Sequence, residues 1–64
     1  MTNNLKAARE KVQLTQAQAA DKTGMIESMY QRYEYGHRKP NVYTAIRLAH
    51  ALQSTVEELF PLEE

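Results

Sequence analysis

Apolar residues return every three or four positions through most of this 64-residue chain, and the polar breaks between them divide it into short helical stretches. Leu5, Ala8 and Val12 mark a first helix, running to about Val12, that Asn3 or a neighbour can cap. The stretch from Leu14 to Glu34 organises the rest of the chain: two short helices joined by a tight turn at Gly24. Thr15 and Gln18 have capping-box spacing, the hydroxyl reaching the amide three residues on and Gln18 reaching back. Ala17, Ala19 and Ala20 then supply helix propensity, and their small size lets a second helix approach closely, with Ala20 as the natural point of contact. Gly24 provides the positive φ that so short a turn requires. From Glu27 to Tyr35 the helical rhythm resumes, Tyr30 and Tyr33 on one side and Glu27, Ser28, Gln31 and Arg32 largely on another.

Beyond Gly36 the residues His37, Arg38 and Lys39 form a basic loop, and Pro40 with Asn41 marks the next boundary. Val42, Ala45, Ile46, Ala49 and Leu52 predict an amphipathic fourth helix. Thr55 and Glu58 repeat the capping-box spacing ahead of Leu59 and Phe60, and Pro61 stops a short fifth helix. The expected architecture is all-α: five helices in one domain over residues 1–64, a helix-turn-helix motif at about 15–34 and a short acidic tail at 61–64.

Length and composition narrow the function classes. Sixty-four residues hold one small core, and such a chain buries only about 60% of its unfolded surface, so marginal stability is expected. Without cysteine there are no disulfides or thiolate metal sites, and His37 and His50 are too isolated to suggest a metal or a catalytic base. Neither a membrane-spanning run nor a signal peptide's apolar segment is present, so a soluble, cytoplasmic chain is expected. No nucleophile–base pair, metal cluster or phosphate-cradling glycine loop argues for an enzyme, and no cofactor or small-molecule ligand is expected. The formal net charge of zero conceals a division. Residues 55–64 carry Glu57, Glu58, Glu63 and Glu64 and no base, leaving residues 1–54 with eight Lys or Arg against four acids, a balance of +4. A basic face can therefore meet a polyanion while the acidic end points away.

From Leu5 to Phe60 the chain resembles the Cro/cI-type helix-turn-helix family, also called Xre-like, of phage repressors and small bacterial regulators. The likeness is carried by LKAARE in the first helix, LTQAQAADKTGM through the turn, RYEYGHRKP after the second motif helix, and IRLAHALQSTVEELF at the end. The resemblance implies a compact lambda-repressor-like domain that binds double-stranded DNA, generally as a homodimer on a two-fold operator. It also implies residue roles. Glu27, Ser28 and Arg32, with Met29 nearby, fall at base-reading positions, and their chemistry suits base edges. Gln16 matches a phosphate-contacting glutamine at a helix amino terminus, the plain alternative being an early-turn residue in water. Arg38 and Lys39 fall beside the sugar-phosphate strand, where an ordinary solvated pair is the alternative. Tyr35, standing for a common Asn, is expected at the DNA rim.

Arg9 and Glu34 match family positions that form an ion pair between the first helix and the end of the second motif helix. Tyr30 and Tyr33 take positions usually buried and aliphatic, so core packing is expected, with the phenol oxygens reaching the rim. Gln13 and Gln53 stand where relatives often have a helix-ending Gly, and Ile26 where many place a small polar cap. Glu27 is the awkward reader: it can accept from cytosine, pair with Arg32, or exclude wrong sequences by repelling phosphate. For a dimer the candidate contacts are Val56, Phe60 and Leu62, with Tyr43 less secure. Two functions remain open: a sequence-specific transcription regulator, most readily a repressor, or a protein-interaction module such as an antitoxin-like or adaptor subunit. That only PLEE follows the last helix is expected to favour the regulator.

Overall fold

The computed structural model describes residues 3–62; Glu63 and Glu64 of the expected acidic tail lie outside the described residues. Within them the secondary structure is all helical, with α1 at Leu5–Lys11, α2 at Gln16–Lys22, α3 at Glu27–Glu34, α4 at Val42–Ala51 and α5 at Val56–Leu59. Its Cα radius of gyration is 10.3 Å, close to the roughly 11 Å of a compact chain this long. The most closely packed helix pairs are α2 on α3, α4 on α5 and α1 on α3.

Local chemistry fixes the ends of these helices. At α1 the Leu5 amide donates to the Asn3 side chain at 3.0 Å, and the Asn3 side-chain amide donates on to the Tyr33 carbonyl at 2.9 Å, tying α1 to α3. Asn4 reaches the other end of the chain, its side chain donating to the Glu58 carbonyl at 2.7 Å and its backbone amide to the Leu59 carbonyl at 2.9 Å. The capping box at α2 is complete: the Gln18 amide donates to the Thr15 hydroxyl and the Thr15 amide to the Gln18 side chain. Asn41 caps α4 by accepting from the Thr44 amide. At α5 only half the expected box forms. The Glu58 amide donates to the Thr55 hydroxyl, but the Glu58 carboxylate accepts from Ser54 instead of reaching back to Thr55.

Helix α1 stops at Lys11, one residue earlier than expected, because Gln13 turns the chain with φ of 60°. Gln53 does the same after α4 with φ of 54°. At Gly24, φ is +71°, a conformation that L side chains rarely adopt, so the turn itself favours glycine; the Arg47 guanidinium that lies over it is the mobile end of an exposed side chain.

The core is built from Leu5, Ala19, Ala20, Tyr30, Tyr33, Leu48, Ala49, Leu52 and Leu59. Ala19 and Ala20 are buried where α2 meets α3, whereas Ala17 is exposed. The inward face of α4 differs from the expected one: Ala45, Leu48, Ala49 and Leu52 are buried, while Val42 is 77% exposed and Ile46 is 46% exposed. Positions 45, 48, 49 and 52 follow the three-and-four rhythm of a single helix stripe, and Ile46 sits about 100° around from Ala45. Tyr30 and Tyr33 are core residues. The Tyr30 hydroxyl, however, does not reach the rim. It is buried beside Arg9 and Glu34, with no hydrogen bond of good geometry among the described residues.

Candidate nucleic-acid interface

One ion pair fixes the position of α3. The Arg9 guanidinium grips Glu34 with two nitrogens, at 3.0 Å to Oε1 and 3.3 Å to Oε2, and donates a third bond to the Leu14 carbonyl at 2.8 Å. The two side chains are 12% and 1% exposed. These bonds to Glu34 raise the Arg9 pKa above its ordinary value against the opposing effect of burial, so the guanidinium stays charged. The pair thus holds the end of α3 against α1 and the loop leading into α2.

From Glu34 the hydrogen bonds run outward to the surface. Gln16, half-buried in the first turn of α2, donates through Nε2 to Glu34 at 3.3 Å and to the Tyr35 hydroxyl at 3.1 Å. Its Oε1 accepts from Gln31 at 3.0 Å, and Gln31 also extends a long bond of 3.5 Å to Glu27. Residues from α2, α3 and the start of the following loop therefore share one surface. Gln31 is the connector; the sequence sets it on the polar face of α3 with Glu27, Ser28 and Arg32 but gives it no role of its own. Its place four residues after Glu27 on a helix was the available signal.

Among the other candidate residues, Glu27, Ser28 and Arg32 are exposed along α3. No ion pair joins Glu27 to Arg32 among the described residues, so the pairing alternative for Glu27 gives way to the contact with Gln31. Met29 is half-buried and packs on the core, which leaves less of it for a base than its exposed neighbours offer. Tyr35 is 57% exposed and meets the His37 ring edge-on at 6.1 Å. Arg38 and Lys39 follow in the exposed loop. Ile26 occupies the N-cap of α3 in an extended conformation, 71% exposed and without a side-chain capping bond.

The candidate dimer residues divide between two surfaces. Val56 and Phe60 join Lys39, Pro40, Val42 and Ala45 in one shallow apolar groove. Tyr43 faces a separate groove with Lys22, Ile46, Arg47 and His50, and Leu62 is 93% exposed. Among the described residues no cluster of His, Cys, Asp or Glu could hold a metal ion, and no helix is long and apolar enough to cross a membrane.

Comparisons with known proteins fit this geometry. The sequence model of the family described as Helix-turn-helix matches residues 5–59. A Bacillus subtilis (strain 168) protein named as the uncharacterized HTH-type transcriptional regulator YqaE is 36% identical over 58 residues, covering 91% of this chain and 50% of its own length. The cryptic phage CTXphi transcriptional repressor RstR of Vibrio cholerae is 35% identical over 51 residues, covering 80% of this chain and 46% of its own. The chain spans about half the length of the curated relatives it matches. Both relatives are named as transcriptional regulators, and neither as an enzyme. Because the family match runs from α1 through α5 and leaves out no helix among the described residues, the chain belongs to the Cro/cI-type helix-turn-helix family.

Proposed function

We propose that this chain is a sequence-specific DNA-binding domain of a transcription regulator, acting in the cytoplasm as a repressor on a two-fold operator. The observation that carries the reading is the joined surface of α2 and α3. Exposed Glu27, Ser28 and Arg32 stand on the helix whose end is fixed by the Arg9–Glu34 pair, and Gln16 and Tyr35 are hydrogen-bonded into the same surface. Helix α3 enters the major groove, where Arg32 donates two hydrogen bonds to guanine and Ser28 donates or accepts. Glu27 accepts from a cytosine amino group, its orientation steadied by Gln31. Gln16, Tyr35, Arg38 and Lys39 form the phosphate-side set. It fixes register without reading sequence.

Two copies act together as a homodimer, their α3 helices entering successive major grooves about 34 Å apart. The apolar groove at Val42, Val56 and Phe60 supports such a contact. Leu62 is exposed nearby in sequence, whereas Tyr43 lines a different groove and drops out of this interface. The repressor named among the relatives supports repression as the outcome.

Titrating the purified protein against the DNA upstream of its own gene, with a scrambled duplex as control, tests the proposal. Tighter binding to the natural duplex, with two protomers per site at saturation, is expected. Equal affinity for both duplexes, or no binding at low salt, would leave the interaction-module function in its place.

A further inference from the structure

The Gln16 side chain has no hydrogen left for a phosphate. A primary amide carries two N–H donors, and here both are engaged: one with Glu34 Oε2 at 3.3 Å, the other with the Tyr35 hydroxyl at 3.1 Å. The assignment of nitrogen and oxygen follows from chemistry. Glu34, ionised against Arg9, only accepts, so the nitrogen must face it, and the oxygen then meets the Gln31 amide at 3.0 Å. Whatever capacity Oε1 retains is acceptor capacity, useless to a phosphate oxygen that is itself an acceptor.

The Tyr35 hydroxyl is in the complementary state. It accepts from Gln16, and no described residue takes its own proton. The residue is 57% exposed, and its ring meets His37 edge-on. Accepting one hydrogen bond polarises a hydroxyl and strengthens it as a donor in the next. A chain of bonds therefore runs from half-buried Arg9 through Glu34 and Gln16 to the hydroxyl of an exposed tyrosine.

We propose that the Tyr35 hydroxyl, and not the Gln16 amide, donates the hydrogen bond to DNA phosphate at this edge of the interface, Gln16 serving as a positioning residue that acts through it. The proposal rests on the DNA-binding function proposed above and divides the phosphate-side set into a contact and its support. A phenol is neutral and displaces no counterion, so its signature differs from that of Arg38 or Lys39.

Three variants of the full chain test this: Tyr35→Phe, Gln16→Met and the double substitution, each titrated against a short random-sequence duplex and the natural upstream duplex over a range of salt. Tyr35→Phe is expected to weaken both complexes about tenfold, as for the removal of a bond to a charged acceptor, with the salt slope and the melting temperature unchanged. The double variant is expected to bind within about twofold of Tyr35→Phe alone, the coupling expected of residues acting as one unit. Multiplying losses would show that Gln16 reaches the phosphate itself and would overturn the proposal, as would parental affinity in Tyr35→Phe. In the free protein, the Gln16 side-chain amide resonances should move on Tyr35→Phe; unmoved resonances would remove the bond on which the inference stands. A parent that binds neither duplex at low salt would instead bring down the DNA-binding proposal, and this inference with it.

Discussion

Removing the Arg9 guanidinium strands the Glu34 carboxylate, which is 1% exposed and left with neutral neighbours, among them the Gln16 amide. Breaking one partner of a buried pair costs about 3 to 5 kcal/mol, a large share of what a chain this size can hold. Arg9→Ala should therefore lose most of its resistance to urea, and melting within a degree or two of the parent would contradict the assignment. Tyr30 presents the opposite case. Its hydroxyl is buried with no well-formed hydrogen bond among the described residues, close enough to Arg9 and Glu34 to feel both charges. Burial above all, and then the Glu34 charge, raises its pKa well above 10.0. Tyr30→Phe removes the unmet group and should hold or raise stability by about 1 kcal/mol in denaturant titration. A pKa raised on folding means that stability is intact below the unfolded value and falls as pH climbs past about 10, where the unfolded tyrosine ionises first. Tyr30→Phe should make that alkaline decline shallower, and a steeper decline would contradict the burial of the hydroxyl.

At the scale of the helix, the weakest terminus is the start of α3. Ile26 leaves the first amides of that helix without a side-chain cap and is itself 71% exposed. Ile26→Ser should stabilise the fold by about 1 kcal/mol, visible as a higher midpoint in urea, and a lower midpoint would mean that the isoleucine packs against something. The caps also show what the sequence could reveal. Thr15 with Gln18, Asn41 and the turn at Gly24 are legible because each rests on bonds within a few residues. The stripe of α4 is not, because Val42 and Ile46 are as apolar as Leu48, and only packing against the other helices decides which of them turns inward. The glutamine network escapes for a related reason. Gln16 and Gln31 lie on different helices 15 residues apart, and neither residue type announces a partner.

For the molecule as a whole, charge is divided along the chain: the basic residues gather before position 55, and the first turn of α5 carries Glu57 and Glu58. If Arg38 and Lys39 rest on phosphates, replacing either by Ala should weaken natural and random duplexes alike and make the slope of log K against log salt shallower by about 0.9 for each phosphate released. An unchanged slope would take that residue off the DNA. The central claim is that the exposed side of α3 reads sequence, and selection from a pool of randomised duplexes by the parent and by Arg32→Ala tests it most directly. The account predicts that the parent enriches a two-fold site with half-sites about one helical turn apart, and that Arg32→Ala loses preference at one base pair in each half-site, worth about 1 to 3 kcal/mol, while keeping the rest. A parent that enriches no sequence, or an Arg32→Ala variant that enriches the same site with the same preferences, would contradict it.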